Sequence, residues 1–294
     1  MKQEQSSRSA EGVASLRAIE AQKPEAERIC YDSYAQALIH RGVLYTLSKL
    51  VITSGLYERI APGATAFVAV RERYIDDFLK TSLNEGLDQV VILGAGFDTR
   101  AYRMAGIEKT RVFEIDHPAT QEVKLQRLKK VFDPIPEHVT FLPVDFNTQT
   151  LDERLLASGY NEQGKTLFIW QGVTYFLTEQ GVDSTLAFIA NHSGAGSAVI
   201  FDYFYNEILH DPNNGYAKSL RRAGQLSGEE YMFGIDRDQI ETFLSQRGFR
   251  DVHNMTLDDL KQLYFIGPNA GRVVPKGIAI ASARVNKPLP EAIH

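Results

Sequence analysis

The stretch VVILGAGFDTR, residues 90–100, decides the predicted fold because it joins a buried strand to a helix through a glycine turn. Residues 90–93 form a continuous apolar run, which is typical of a strand buried on both faces of a parallel sheet. Gly94 and Gly96 allow the backbone to approach a ligand closely, and a helix is expected to start near Thr99. Ligands of open α/β sheets bind at the carboxyl ends of the strands, so this turn is the first candidate site.

The rest of the chain alternates strands with helices, which predicts a mostly parallel sheet with helices on both faces. Strands are expected at residues 90–93, 111–115, 138–142, 166–170, 197–203, 250–254 and 277–285. Further helices are expected at residues 118–131, 151–157, 178–191 and 237–247. Thr178 is a predicted N-cap. Residues 204–235 interrupt the alternation with glycines and scattered aromatic residues, the composition of an inserted lid.

Three segments are predicted along the 294 residues. Residues 1–29 are polar and are expected to form a mobile N-terminal tail or a loosely held helix. Residues 30–86 repeat apolar side chains at spacings of three and four, which predicts a helical cap. Residues 87–294 are expected to form the ligand-binding α/β domain, with the lid at residues 204–235.

Composition and charge exclude several classes of function. The net charge of −5 argues against nucleic acid or an anionic membrane as the main partner. The polar N-terminus lacks the apolar stretch of a secretory signal, so a cytoplasmic protein is expected. Cys30 is the only cysteine, which excludes an intrachain disulfide. The histidines show no metal-ligand spacing, so no metal is predicted.

Side chains at successive strand ends suit an adenosine. Asp116 lies 22 residues after Gly94, the spacing at which a carboxylate can hydrogen-bond both hydroxyls of a ribose. Asp145 can accept from an adenine amino group, and Phe146 can lie against the ring. A dinucleotide would bring its pyrophosphate near Asp98, which is unfavourable. S-adenosylmethionine carries an ammonium and a sulfonium instead, and an acidic residue suits both.

Several motifs resemble those of the leucine carboxyl methyltransferase family, in particular its bacterial branch of polyketide and small-molecule O-methyltransferases. The most specific matches are VVILGAGFDTRAYRM and FEIDHP, and YDSYA, RERYIDDFL, PVDF and WQGVTYFL are similar to further family motifs. The resemblance implies a seven-stranded, Rossmann-like methyltransferase sheet, mostly parallel with an antiparallel last strand. It also implies methyl transfer from S-adenosylmethionine to an oxygen, often that of a carboxylate.

The resemblance further implies cofactor-binding roles for a set of residues: Arg71, Arg73, Gly94, Ala95, Gly96, Asp116, His117, Asp145, Phe146 and Gln171. The glycines would line the methionine part, Asp116 the ribose, and Asp145 with Phe146 the adenine. Either Arg71 or Arg73 would meet a carboxylate, of the cofactor or of the substrate. Gln171 occupies a position where the family usually has glutamate, next to the cationic end of the cofactor.

Methyl transfer is a direct displacement, so the enzyme mainly has to align the accepting oxygen with the methyl group. A carboxylate acceptor is already ionised and needs no general base, whereas a phenol would benefit from one. His117 and Tyr175 are weak candidates for a catalytic role. Aromatic residues of the lid region favour a planar or lipophilic acceptor, with Tyr175, Tyr203 and Tyr231 as expected substrate contacts.

The sequence leaves several functions open. The leading one is a small-molecule O-methyltransferase acting as a monomer or homodimer, without a nucleic-acid or membrane partner. Alternatives are methylation of a protein C-terminal carboxylate, and a cofactor-binding protein with altered or lost transfer, because Phe176 stands where the family usually has tyrosine. A nicotinamide dehydrogenase is disfavoured by Thr99, which replaces the third glycine of a dinucleotide fingerprint.

Overall fold

The computed structural model describes residues 8–40, 42–144, 149–210, 218, 224 and 228–288, and its strands form one seven-stranded sheet. The strands are β1 (Gln89–Leu93), β2 (Arg111–Asp116), β3 (Val139–Pro143), β4 (Thr166–Trp170), β5 (Ala198–Phe204), β6 (Phe249–Thr256) and β7 (Ile278–Val285). Their order across the sheet is β3-β2-β1-β4-β5-β7-β6. Every predicted strand is present, and its bounds differ from the prediction by no more than about two residues.

The sheet has the predicted mixture of directions. Strands β1 to β5 pair in parallel, for example Val91 of β1 with Phe113 of β2 and Phe168 of β4. Strand β7 is antiparallel to both of its neighbours, β5 and β6. The strand order reverses between β1 and β4, which opens a crevice at their carboxyl ends. The glycine turn that follows β1 lies at this crevice.

Burial explains why the strands were recognisable in the sequence. Every residue of β1, β4 and β5 is buried, as expected for strands covered by helices on both faces. Strand β6 lies at an edge of the sheet and is only partly buried. Continuous apolar runs therefore coincide with the strands that form the centre of the sheet.

Helices flank the sheet, and some of them precede its first strand in the sequence. The helices that precede the sheet are α1 (Arg8–Ala21), α2 (Val43–Thr53), α3 (Leu56–Ile60) and α4 (Ala64–Asn84). The later helices are α5 (Arg100–Arg103), α6 (Pro118–Leu128), α7 (Leu151–Leu156), α8 (Glu179–Asn191), α9 (Asn206–His210), α10 (Ile240–Ser245) and α11 (Leu257–Tyr264). Thr178 caps α8 as predicted, because its hydroxyl accepts from Gly181 N at 3.1 Å.

Helix α11 was not predicted from the sequence. It begins with a capping box, in which Asp259 N donates to the Thr256 hydroxyl at 3.2 Å and Thr256 N donates to the Asp259 carboxylate at 2.9 Å. The sequence TLDD carries the acidic form of this signal. Helix α10 is also shorter than the predicted span of residues 237–247.

Part of the N-terminal segment, predicted to be a mobile tail or a loosely held helix, forms helix α1. Helix α1 packs against α4 and buries Ala14 and Ala18. Its Arg17 is buried as well and is ion-paired with Asp32 at 3.0 Å. The prediction rested on the polar composition of residues 1–29, and composition does not reveal an ion pair that fixes a polar helix to the rest of the fold. The division of the chain into three segments stays a prediction.

The predicted lid is described only in part, at residues 204–210, 218, 224 and 228–235. Its two ends are held together beside the sheet: Ile235 N donates to Phe204 O at 3.0 Å, and Asn206 N donates to Ile235 O at 3.2 Å. Residues 228–235 therefore return to the edge of the crevice where β5 ends. None of the helices in the described residues is long and apolar enough to cross a membrane.

Candidate functional site

The glycine turn between β1 and α5 adopts a conformation that its glycines make possible. Gly94 and Gly96 have φ angles of 64° and 45°, in the left-handed region that other residues seldom adopt. A Cβ atom at Gly94 would collide with Val173, in the loop that follows β4. Ala95 is buried, and its N–H donates to Ile115 O at 2.9 Å. The turn is therefore packed directly between the ends of β2 and β4.

Asp116 ends β2 beside this turn, as the sequence predicts. Gly96 N donates to one oxygen of its carboxylate, and His117 N donates to the other at 2.6 Å. Burial raises the pKa of Asp116 above its ordinary value, although both hydrogen bonds oppose the shift. The structure thus brings the carboxylate predicted to bind a ribose into direct contact with the glycine turn.

His117 caps helix α6. Its Nδ1 accepts from Ala119 N at 3.2 Å. In the neutral ring this leaves the proton on Nε2, so the imidazole has no free lone pair with which to take a proton. The suggestion that His117 acts as a general base does not agree with this arrangement.

Arg71 and Arg73 have different surroundings, and these show which of the two arginines lies at the candidate site. Arg71 is only 2% exposed, and its NH1 group contacts Asp202 Oδ2 at 2.5 Å and the Tyr175 hydroxyl at 3.4 Å. The side chain of Arg73 is 47% exposed and pairs with Asp77 at 2.9 Å. Residues two apart on a helix point in nearly opposite directions. Arg71 therefore belongs to the site and Arg73 does not, which corrects the prediction for Arg73.

Gln171 follows β4 and lies at the crevice, as predicted. Its Nε2 donates to Glu72 Oε2 at 3.0 Å. Burial opposes ionisation of Glu72, but the neighbouring guanidinium groups outweigh burial and hold the pKa of this carboxyl well below its ordinary value. The position that carries glutamate in the resembling family thus carries an amide here, with a fully buried, ionised glutamate directly behind it.

A buried charge cluster surrounds Glu72 beneath the glycine turn. It consists of Arg17, Asp32, Glu72, Asp76, Asp98, Arg100 and Arg103. Three guanidinium groups therefore face four carboxylates, which leaves one net negative charge when all seven are ionised. Such a site suits a ligand that carries net positive charge, because an unbalanced buried charge is unfavourable without a partner.

Contacts to the glycine turn connect this cluster to the cofactor crevice. Arg17 donates to Phe97 O as well as to Asp32. Asp32 also accepts from the Thr99 hydroxyl at 2.7 Å. Asp98 pairs with Arg100, so its charge is compensated within the protein.

Tyr175 and Tyr231 form an aromatic wall next to Arg71. Their rings are stacked with centroids 5.5 Å apart, and Phe204 packs edge-on against both. Met232 N donates to Tyr175 O at 2.8 Å, which joins the described end of the lid to the crevice. Burial raises the pKa of Tyr231 to about 12 and shifts the pKa of Tyr175 upward as well, so both remain neutral hydroxyl groups. Neither tyrosine is therefore suited to act as a base.

Tyr203 lies on the other face of the sheet. Side chains alternate along β5, so Asp202 and Phe204 face Arg71 and Tyr175 while Tyr203 faces away. Its hydroxyl donates to Asn254 of β6 at 3.2 Å. The prediction that Tyr203 contacts the substrate is wrong for this reason. The three aromatic residues at 203–205 are adjacent in the sequence. Side chains alternate between the two faces of a strand, so neighbouring residues point to opposite sides of the sheet.

Asp145 and Phe146, predicted to hold the adenine, lie outside the described residues. Among the described residues, no group of histidine, cysteine, aspartate or glutamate side chains could hold a metal ion.

Sequence reasoning missed Glu72, Asp202 and most of the buried charge cluster as parts of the site. A signal was present, because the motifs YDSYA, RERYIDDFL and FDTRAYR contain charged residues of both signs, among them Asp32, Glu72 and Arg100. Charged residues are seldom fully buried unless they are paired. The motifs did not reveal which charges pair with which.

The fold is shared with solved structures of other proteins. A solved structure of a candidate methyltransferase from Thermobifida fusca superposes with a TM-score of 0.61 at 12% identity, covering 96% of both chains. A solved protein from Streptomyces avermitilis, of the family called DUF574, superposes with a TM-score of 0.59 at 11% identity, covering 95% of this chain and 98% of that one. These likenesses concern the fold, and they confirm the predicted methyltransferase sheet.

Sequence similarity assigns the chain to a family. The family described as leucine carboxyl methyltransferase matches residues 10–190, more than half of the chain, so the chain belongs to this family. The candidate S-adenosyl-L-methionine-dependent methyltransferase YktD of Bacillus subtilis is 32% identical over 197 residues, which cover 66% of this chain and 64% of YktD. The chain thus spans just under two thirds of that relative.

A relative from Mycobacteroides abscessus matches over a longer stretch. It is 32% identical over 280 residues, which cover 88% of this chain and 87% of the relative. It is also described as a candidate S-adenosyl-L-methionine-dependent methyltransferase. The relatives thus confirm S-adenosylmethionine as the cofactor of the family to which the chain belongs.

Proposed function

We propose that the protein transfers a methyl group from S-adenosylmethionine to an oxygen of a small-molecule acceptor, and that this oxygen belongs to a carboxylate. The observation that carries the proposal is the buried charge cluster beneath the glycine turn, with its one net negative charge. S-adenosylmethionine has one net positive charge at neutral pH, so it complements this site. A nicotinamide dinucleotide, with its anionic pyrophosphate, does not.

Residues of this chain fit each part of the cofactor that they face. Asp116, fixed by Gly96 N, is the proposed partner of the ribose hydroxyls. Gly94, Ala95 and Gly96 are the proposed neighbours of the methionine part, and Gln171 offers an amide to its cationic end. Binding of the adenine by Asp145 and Phe146 stays a prediction from the sequence.

Arg71 is the proposed partner of a carboxylate, of the cofactor or of the acceptor. Its NH1 group is engaged by Asp202 and Tyr175, while Nε has no acceptor among the described residues. A guanidinium carries five N–H donors, so further donors remain for a carboxylate ligand. Tyr175 accepts from Arg71 and still has its own O–H to donate. The neighbouring ring of Tyr231 favours an aromatic or lipophilic acceptor.

When bound, S-adenosylmethionine supplies an activated methyl group on a sulfonium sulfur. The accepting oxygen forms the new bond to the methyl carbon as the carbon–sulfur bond breaks, which gives a methyl ester and S-adenosylhomocysteine. The protein has to align the two groups and keep water out. A carboxylic acid has a pKa of roughly 4 and is ionised at neutral pH, so the lack of a free base at His117 does not impede this reaction.

A second candidate is a family member that binds the cofactor but has altered or lost transfer. The amide at Gln171, where the family usually has a carboxylate, favours this alternative. Phe176 also departs from the family, and its ring packs against Tyr231 with centroids 5.0 Å apart. Methylation of a protein C-terminal carboxylate, a polyketide acceptor and a cytoplasmic location remain predictions from the sequence.

Two measurements test the proposal. Calorimetry should detect binding of S-adenosylhomocysteine and none of NADH, and absence of the former would refute the function. The substitution Asp116→Ala should then weaken that binding by about 1 to 3 kcal/mol, the range for hydrogen bonds to a charged group. Turnover of labelled cofactor with a panel of aromatic carboxylic acids and phenols separates an enzyme from a cofactor-binding protein.

A further inference from the structure

The amide of Gln171 is only half satisfied. Its Nε2 donates to Glu72 Oε2 at 3.0 Å. Its Oε1 is buried and accepts no hydrogen bond from any residue that the structure describes. A buried acceptor without a donor is unfavourable, and such atoms in native proteins usually indicate a partner that arrives with a ligand or a water molecule. Gln171 lies at the carboxyl end of β4, where this fold binds its ligands.

Glu72 fixes the orientation of that amide. Its Oε1 accepts from Arg103 NH2 at 2.7 Å, and its Oε2 lies 3.0 Å from Arg100 NH2. The carboxylate is fully buried and ionised, so it cannot turn away or take a proton at neutral pH. If the Gln171 amide rotated by half a turn, two acceptor oxygens would face each other. Only the orientation with Nε2 towards Glu72 is therefore compatible with the site.

The remaining oxygen suits a cationic donor. With its four carboxylates ionised, the surrounding charge cluster carries one net negative charge, and Glu72 lies directly behind the amide. An ammonium group has three N–H donors and a positive charge, so it would satisfy Gln171 Oε1 and neutralise the cluster together. The donor is therefore expected to be a cation and not a neutral hydroxyl.

We propose that Glu72 is a positioning residue that holds the Gln171 amide so that Oε1 receives the ammonium group of S-adenosylmethionine. The inference rests on the proposed function and assigns a role to a residue that does not itself touch the cofactor. The amide supplies the hydrogen-bond acceptor, and the ionised Glu72 behind it supplies the negative charge. Together the two side chains replace a single carboxylate at position 171.

The test compares two ligands of the full-length protein by calorimetry. S-adenosylhomocysteine carries the ammonium group, whereas 5′-methylthioadenosine has the same nucleoside and thioether but no amino-acid part. For Glu72→Gln we expect the dissociation constant of S-adenosylhomocysteine to rise about tenfold, as for one lost hydrogen bond to a charged group. That of 5′-methylthioadenosine should stay within about twofold. An equal loss for both ligands would mean that Glu72 only supports the fold, and no loss for either would also overturn the proposal.

Two further variants keep the proposal testable if Glu72→Gln is poorly folded. Gln171→Met has a similar shape, lacks the amide and leaves all the arginine partners of Glu72 in place. It should show the same selective loss of S-adenosylhomocysteine binding. The exchanged pair, Glu72→Gln together with Gln171→Glu, restores a donor facing an acceptor and should recover most of the affinity. A pair that binds no better than Glu72→Gln alone would contradict the orientation argument.

The exposed pair Glu122 and Gln126 on α6 provides a matched control. Gln126 Nε2 donates to Glu122 at 3.4 Å on the protein surface. The same exchange there should leave both affinities unchanged. Failure of the inference and of the proposed function are distinguishable, because a wild-type protein that does not bind S-adenosylhomocysteine refutes both. A wild-type protein that binds it, with Glu72→Gln and Gln171→Met unaffected, refutes only the inference.

Discussion

Arg71 and Arg73 lie two residues apart on α4, and the site depends on only one of them. Arg71 is buried against Asp202, whose other oxygen accepts from Gly172 N at 2.6 Å. Asp202 thereby holds the loop after β4 and the arginine in one arrangement. Arg73 pairs with Asp77 in the solvent, where an ion pair contributes little. The two arginines are therefore a matched pair for measuring how much the burial of an ion pair changes the free energy of unfolding when the arginine is replaced.

Replacing Arg71 with methionine should destabilise the protein far more than the same change at Arg73. Arg71→Met leaves the Asp202 carboxylate buried without its cation, which costs about 3 to 5 kcal/mol. Arg73→Met should change the free energy of unfolding by no more than about 1 kcal/mol. Urea denaturation of both variants measures the difference. Equal losses would show that Arg71 is no more important to the fold than a surface residue.

Glu72 should make the stability of the protein sensitive to acid. Its pKa is depressed in the folded protein, whereas in the unfolded chain it titrates near 4.5. Below that pH the unfolded chain binds the extra proton first, so the stability from Glu72 is present above pH 4.5 and is lost as the pH falls. The variant Glu72→Gln lacks this contribution, so its stability should fall less between about pH 6 and pH 3.5.

Urea denaturation over this pH range checks the acid prediction. Other carboxyl groups titrate in both proteins, and the contributions of those outside the buried charge cluster cancel when the two curves are subtracted. If the difference in the free energy of unfolding between the wild-type protein and Glu72→Gln narrows towards low pH, it agrees with a depressed pKa at Glu72. Two parallel curves would contradict it, because they would mean that Glu72 titrates alike in the folded and unfolded chains.

Sequence reasoning at this scale succeeded where a side chain's role depends on its neighbours along the chain. Gly96 lies in the turn after β1, and Asp116 ends the next strand, β2. A hydrogen bond joins the two residues. The contact between Glu72 and Gln171 joins residues 99 positions apart, from helix α4 and the loop after β4. Nothing in either local segment specifies that contact, so the structure was needed to find it.

The charged side chain of Arg17 helps to attach helix α1 to the rest of the fold. Arg17 contacts Asp32, Phe97 O and, at 3.8 Å, Glu72. These contacts fix α1 to the glycine turn from outside the sheet. The helix also buries Ala14, Ala18 and Ile19, and its buried Glu20 pairs with Arg272 at 2.7 Å.

The substitution Arg17→Met should loosen α1 and destabilise the protein by about 3 kcal/mol, because Asp32 loses its buried partner. Hydrogen exchange should then accelerate selectively at residues 8–21. Arg8→Met, at the exposed start of the same helix, is the control and should leave exchange unchanged. If α1 exchanges equally slowly in both variants, its apolar contacts and the ion pairs of Glu11 and Glu20 hold it without Arg17.

At the scale of elements, apolar runs identified the central strands, because these are covered on both faces and carry continuous hydrophobic stretches. Helices α1 and α11 were harder. Helix α1 mixes polar residues with small apolar ones and is fixed in part by buried ion pairs, and α11 is short and starts at a capping box of the less usual acidic form. Local composition identifies elements that are buried for hydrophobic reasons and misses those that polar contacts hold.

The whole molecule assembles its site from segments spread over most of the chain. Arg17, Glu72, Asp116, Gln171 and Asp202 come from two helices, the ends of two strands and the loop after β4. The strand order brings them together, because β1, β2, β4 and β5 are neighbours whose carboxyl ends share one edge. The fold could therefore be predicted with its glycine turn, while the charge pairing around that turn could not.

The proposed acceptor class predicts how turnover depends on pH. The structure offers no free base at His117, and burial keeps Tyr175 neutral, so the ionisation of the acceptor itself should govern the rate. A carboxylic acid is fully ionised above about pH 6, and its methylation should be nearly flat from there to about pH 8. A phenol with a pKa of roughly 10 should instead react about tenfold faster for each pH unit in that range. Initial rates with matched benzoate and phenol acceptors would distinguish the two, and a phenol rate that levels off near neutrality would reveal a base within the enzyme.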